Sequence, residues 1–180
     1  MLIQCAASLL LVVDIQEKLA PAIHDSEQVT ANSVRLLAGA RLLGVPAFVS
    51  EQYVKGLGPS VAAIQAAAVN ARFFEKIHFS CAAEPGVVEM LRATGRQQIL
   101  LTGTETHVCV LQTALGLLAA GFDVFLVADA ASSRTPENRQ AAIERLRAAG
   151  VHIVTTEMVL FEWLHRAATD DFRALLPLIK

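Results

Sequence analysis

QILLTGTETHVCVLQTALGLLAAGFDVFLVA, running from Gln98 to Ala128, carries the reading that decides the fold. Gln98 to Leu101 is a short apolar run that enters Thr102-Gly103-Thr104, and it reads as a strand. Val108 to Ala120 is an apolar helix ended by Gly121, and Asp123 to Ala128 is a second strand. Two strands joined through a helix form a βαβ unit, the connection that parallel strands require.

The same alternation continues outward in both directions. Toward the C-terminus, Ser132-Ser133-Arg134-Thr135-Pro136 is a loop, Glu137 to Ala149 a polar-faced helix stopped by Gly150, and Val151 to Val154 the last strand. Two short helices are expected around Met158 to Arg166 and Asp170 to Leu176, with Pro177 stopping the second. Toward the N-terminus, Val87 to Ala93 is a helix stopped by Gly95, Arg72 to Lys76 a strand, and Val61 to Val69 a short helix after a Gly56-Leu57-Gly58-Pro59 turn. Ala47 to Ser50 and Leu9 to Val13 are strands. Between them Glu27 to Leu43 is an amphipathic helix, with Val29, Val34, Leu37 and Leu42 at helical spacing and Gly44 just past its end. Six apolar strands alternating with helices predict an α/β three-layer α/β/α sandwich on a six-stranded parallel sheet, one domain over residues 1–180. Ligands of such sheets bind beyond the carboxyl ends of the strands.

Composition narrows the function classes. Of 180 residues, 54% are hydrophobic and 18% charged, the reverse of a disordered chain. Fifteen basic against seventeen acidic residues give a formal charge of -2, so no positive field exists to hold a nucleic acid or an anionic membrane. The densest apolar runs, Leu9 to Val13 and Leu115 to Ala120, fall far short of the ~20 residues of a spanning helix. The opening residues show no secretory pattern, and Cys5, Cys81 and Cys109 are too widely spaced for a disulfide framework or zinc cluster, which points to a cytoplasmic protein. The high apolar fraction favours a homo-oligomer; Val159 to Leu164 is either a contact between copies or a segment packed on its own sheet.

Three strand ends carry chemistry. Asp14 follows the first strand, as a helix N-cap for Ile15-Gln16-Glu17 or as a carboxylate at the ligand end of the sheet. Lys76 ends the third, either snorkelling to water or held among Phe73, Phe74 and Phe79. Cys109 lies between the Gly103-Thr104 turn and a helix, where unpaired N–H groups and the helix dipole favour thiolate; the other reading is a small buried apolar residue, which suits Cys5 and Cys81. Together the three supply a nucleophile, a carboxylate to take its proton and an ammonium to hold the thiolate, with turn N–H groups for an oxyanion. Their convergence depends on a strand order that spacing does not fix.

These residues carry a resemblance. Asp14-Ile15-Gln16 after the first strand, then Lys76, the Gly103-to-Val110 turn with Cys109, and Val127-Ala128-Asp129-Ala130 resemble the isochorismatase-like cysteine hydrolase family over nearly the whole chain. Glu51-Gln52-Tyr53-Val54-Lys55-Gly56-Leu57-Gly58, with Ser132-Ser133-Arg134, resembles its branch of isochorismatase domain-containing proteins. The resemblance implies a catalytic triad of Asp14, Lys76 and Cys109, a cis peptide from Thr104 to Glu105, and an oxyanion hole of the Glu105 and Cys109 N–H groups. Gln16, Tyr53, Leu57, Thr104 and His107 are the candidate substrate-binding residues. The loop of Tyr53 and Leu57 roofs the site or is plain surface; His107 lines the pocket or faces water; Asp129 caps a helix or orders its loop.

Departures from the family refine the expectation. Its metal-dependent nicotinamidases carry Asp-x-His and a further His after the second strand, whereas Ser50-Glu51-Gln52-Tyr53 holds no histidine; no catalytic metal and no cofactor are expected. The retained Cys109 favours hydrolysis of an amide-type C–N bond, or an ester, in a small-molecule substrate through a thioester, over the enol-ether chemistry of true isochorismatases. Two other classes compete: a non-catalytic binding or scaffolding protein that keeps the fold and site, and a flavodoxin-like nucleotide binder, which lacks the expected Gly-x-Gly-x-x-Gly after the first strand.

Overall fold

A computed structural model describes residues 1–179. Strands β1 (Ser8–Val13), β2 (Ala47–Gln52), β3 (Arg72–Lys76), β4 (Gln98–Thr104), β5 (Asp123–Ser132) and β6 (His152–Val154) form one all-parallel sheet in the order β3-β2-β1-β4-β5-β6. The chain winds outward from β1 to β3, returns to the centre as β4, and winds outward again. The order therefore reverses between β1 and β4, and the crevice at such a reversal is where ligands bind.

Alternation along the central strands builds two cores. Leu10 and Val12 of β1, with Leu100 and Phe125, pack against helices α1 (Ser26–Leu43), α7 (Thr156–Leu164) and α8 (Asp170–Ile179). Leu9, Leu11 and Val13, with Ile99 and Leu101, face α4 (Val87–Arg92), α5 (Leu111–Ala119) and α6 (Pro136–Ala148). Burial on both faces is why these strands read as unbroken apolar runs. Helices α2 (Val54–Leu57) and α3 (Ala62–Ala67) lie in the connection from β2 to β3. Gly44 ends α1 in the left-handed conformation at φ 68, the termination its position predicts.

Several expectations need correction. No helix follows Asp14, so it caps none; the chain turns there with φ 52. β5 runs on to Ser132 where a loop was expected, because after a register shift Ala131 and Ser132 pair with Gly103 and Thr104 of β4; the Arg139 guanidinium of α6 donates to the carbonyls of Ala128 and Ala131. α8 passes through Pro177 to Ile179. The proline costs one N–H bond in a last turn whose carbonyls are already short of partners, while Leu178 and Ile179 stay packed on the core. Leu42 is 48% exposed and contributes little to the buried face of α1. Val159, Leu160, Trp163 and Leu164 are buried within their own chain, which leaves Phe161 as the outward apolar residue of that segment. Among the described residues no helix is long and apolar enough to cross a membrane.

Candidate active site

Three strand ends converge at the crevice. At its heart, β1 and β4 approach so closely that a Cβ on Gly103 would sit 2.0 Å from the Val13 carbonyl oxygen. Gly103 also holds φ +132, a conformation that other residues avoid. One residue on, Thr104 Oγ1 donates to the Asp14 carbonyl at 2.5 Å, while Asp14 N donates to the Ser50 carbonyl at 3.2 Å. The Asp14 backbone is thus pinned by both neighbouring strands.

Its side chain is fully enclosed. Asp14 Oδ2 accepts from Lys76 Nζ at 2.7 Å and Oδ1 from Ser50 Oγ at 2.8 Å, with both members of the ion pair at 0% side-chain exposure. Lys76 does not snorkel. Its ammonium also donates to Gln52 Oε1 at 2.6 Å and reaches the carbonyls of Phe79 and His78 at 3.1 and 3.3 Å. An ammonium out of water needs this density of acceptors to offset its lost hydration.

Cys109 completes the cluster, 4% exposed, with its thiol beside the Asp14 carboxylate, near enough for each to shift the other's proton affinity. It lies in a π-helical turn, Thr106–Val110, that precedes α5. Such turns insert one extra residue and re-aim side chains, often at functional sites. Burial raises the Cys109 thiol above its ordinary value, and the negative charge of Asp14 adds to this more than Lys76 relieves it. These effects run against the pull toward thiolate expected of the helix start and of Lys76. Burial likewise raises the Asp14 carboxyl, opposed by Lys76 and by hydrogen bonds from Lys76, Ser50 and Cys109. A carboxylate of raised basicity touching a thiol is placed to exchange its proton, with the ammonium neutralising whichever group carries the charge.

The Thr104–Glu105 bond is trans, as is every peptide bond among the described residues, which corrects the expected cis bond. The turn is made instead by Gly103 and by Glu105, whose φ is 55. The Glu105 carbonyl accepts from the N–H of Val108 at 2.8 Å.

The other candidates divide. Gln16 is buried and its amide is spent on structure: Nε2 donates to the carbonyls of Gln52 and Gly58 at 3.0 and 2.6 Å, and Oε1 accepts from Gln52 N at 2.7 Å. Thr104 is spent on Asp14. Tyr53 is 53% exposed and Leu57 half-buried, on the segment that Gln16 ties down. His107 is half-buried beside the cysteine turn, its Nδ1 3.0 Å from Ser133 Oγ. Asp129 accepts from Thr156 N at 2.8 Å and Thr156 Oγ1 at 3.0 Å, so it orders the start of α7.

Sequence reasoning missed Ser50 and Gln52, which orient Asp14 and Lys76. Their two-residue spacing at the end of a strand, polar on one face, was the available signal. Cys81 is the small buried residue its position suggested, its thiol pushed up to about 11 by desolvation and by the Asp14 charge. Among the described residues no cluster of histidine, cysteine and carboxylate side chains is arranged to hold a metal ion.

The sheet and its strand-end cluster define a doubly wound α/β protein with a buried thiol–carboxylate–ammonium centre. The chain belongs to the isochorismatase family: the Isochorismatase domain model matches residues 8–158, and its fold is that of the family's hydrolases. Isochorismatase domain-containing protein 1 of Danio rerio is 39% identical over 175 residues, 97% of this chain; the chain spans 62% of that protein's length. The MAR1 ribonuclease of Caenorhabditis elegans superposes with a TM-score of 0.94 at 36% identity, covering 99% of this chain and 92% of that one. YcaC of Pseudomonas aeruginosa, solved with hexane-2,5-diol and covalent acrylamide, gives 0.91 at 27% identity, covering 98% and 91%.

Proposed function

We propose that this chain is a metal-independent cysteine hydrolase that cleaves an amide-type C–N bond of a small molecule through a thioester. The observation that carries this reading is the enclosed Lys76–Asp14 ion pair, 2.7 Å long, with the Cys109 thiol beside it. Asp14 takes the proton from Cys109 as sulfur attacks the substrate carbonyl, and the Lys76 ammonium turns from carboxylate to thiolate as counter-charge. The N–H groups of Glu105 and Cys109 hold the oxyanion. Collapse breaks the C–N bond, and Asp14 returns the proton to the leaving nitrogen. Asp14 then takes a proton from water, hydroxide adds to the thioester, and sulfur leaves and takes that proton back from Asp14, which yields the acid and restores the thiol. Where metal-dependent members of the family carry Asp-x-His, Ser50 and Gln52 stand committed to Asp14 and Lys76. The covalent acrylamide on P. aeruginosa YcaC supports a reactive nucleophile on this fold.

Cleavage of RNA, which the name of the C. elegans relative suggests, fits this site less well. Phosphoryl transfer needs cations free to face phosphate, whereas Lys76 is enclosed at 1% exposure and the formal charge is -2. The test is turnover of a panel of small carboxamides, anilides and esters, with an oligoribonucleotide alongside. Wild type cleaves a member of the amide set and Cys109→Ala does not, at unchanged circular dichroism. Retained cleavage in Cys109→Ala refutes the reading, and binding without cleavage in wild type supports the scaffolding alternative. The same proposal takes residues 1–180 as one domain in a reducing cytoplasm, since all three cysteines are free. Self-association, with exposed Tyr53, Ile77 and Phe79 beside the site, is read from sedimentation; a monomer at micromolar concentration removes it.

A further inference from the structure

The cysteine turn holds a carboxylate that the chemistry above does not use. Glu105 buries its side chain to 9% exposure although its left-handed backbone, φ 55, opens a tight turn. Oε1 is satisfied by Arg134 Nε at 2.9 Å, from a guanidinium 58% exposed at the rim. Oε2 is buried and has no hydrogen-bond partner among the described residues. Its near neighbour, His107 Nδ1 at 3.3 Å, already engages Ser133 Oγ at 3.0 Å. The next side chain in the turn, Thr106, is also buried with an unpartnered Oγ1.

A carboxylate oxygen left without a hydrogen bond in a closed site is costly, and such atoms normally find a partner. Here the partner has to reach the turn that also supplies Cys109, four residues along the chain. We infer that Glu105 is a specificity-determining residue: its free oxygen accepts a hydrogen bond from an N–H of the substrate, so the site selects carboxamide, ureido or amidine groups and rejects carboxylates. Arg134 holds the other oxygen and orients the carboxylate. The inference rests on the cysteine-hydrolase reading and narrows its substrate class to molecules presenting an N–H donor beside the scissile carbonyl.

Alkylation of Cys109 tests this without knowledge of the natural substrate. The probes are chloroacetamide, chloroacetone and chloroacetate, which share a leaving group but offer an N–H donor, no donor and a negative charge. Rates at Cys109, read by peptide mass spectrometry, are divided by those of the same reagents with N-acetylcysteine. Wild type favours chloroacetamide over each of the other two by about tenfold or more, the worth of one hydrogen bond to a charged acceptor. Glu105→Gln brings all three within about threefold of one another. Should Glu105→Gln fail to fold, Glu105→Asp carries the test: it still excludes chloroacetate but no longer prefers the amide to the ketone. A flat wild-type profile, or a preference that survives in both variants, overturns the inference and leaves the nucleophile assignment standing. A Cys109 inert to all three reagents while Cys5 reacts overturns both.

Discussion

Replacing Lys76 by methionine removes the counter-charge of a carboxylate that has no access to water. In the native site the ammonium is 2.7 Å from Asp14 Oδ2 and 2.6 Å from Gln52 Oε1, with the Phe79 carbonyl at 3.1 Å. Truncating one partner of such a buried pair costs about 3–5 kcal/mol, because the remaining charge is neither hydrated nor neutralised. Asp14→Asn costs a similar amount for the mirror reason. Removing both charges leaves neither one stranded, so the double variant should fall short of the sum of the singles by about 2 kcal/mol. Urea unfolding at neutral pH measures all four proteins, and an unchanged m-value shows that the native state itself is intact. Additivity within about 0.5 kcal/mol, or single costs below about 1 kcal/mol, would refute an electrostatic coupling between strands β1 and β3.

Other consequences follow from the same geometry. Cys109→Ser lowers turnover of any substrate found by about 10⁴-fold or more without loss of stability comparable to that of the Lys76 variant, since only the nucleophile changes. Alkaline stability is set partly by thiols: Cys81 and Cys109 are both raised above 9.0 in the folded protein. Above that pH the unfolded chain releases protons that the native state retains, so stability falls as pH rises, by up to about 1.4 kcal/mol per pH unit for each thiol. Urea unfolding of Cys81→Ala between pH 9 and 11 should show a shallower decline, and an unchanged slope would contradict the burial of that thiol. Asp14, also raised, makes stability decline as pH climbs from its unfolded value of 3.8 through its folded one, and Asp14→Asn removes that component. Gly103→Ala drives a Cβ to 2.0 Å from the Val13 carbonyl and should cost upwards of about 4 kcal/mol, read as a collapse of the melting temperature.

The layer architecture was legible because period and punctuation agree along the chain: apolar runs, amphipathic helices, and glycines such as Gly44 at helix ends. The same consistency located Asp14, Lys76 and Cys109, since each terminates a strand or opens the turn after one. What the sequence withheld was non-local. Lys76 alone reads as a solvated lysine; its enclosure depends on Asp14 and Gln52, 62 and 24 positions away. Gln16 reads as a substrate contact, yet it is consumed as a strut between β2 and the α2 segment, an outcome set by where Gly58 comes to rest. The proton affinity of Cys109 depends on the same kind of non-local effect. A helix N-terminus pulls toward thiolate, but desolvation and the adjacent Asp14 charge act in the other direction and win. Pro177 follows the rule for interior helix prolines only loosely, because it falls in the last turn.

The central claim is that the sulfur of Cys109 becomes covalently acylated and is then released by water. Intact-protein mass spectrometry during turnover of an activated acyl donor, p-nitrophenyl acetate, reads this directly. A single acetyl adduct that maps to Cys109, appears in a burst, decays once the donor is exhausted and is absent from Cys109→Ser is the predicted result. Release of p-nitrophenol with no adduct at Cys109, or with acetylation confined to Cys5 or a surface lysine, contradicts it.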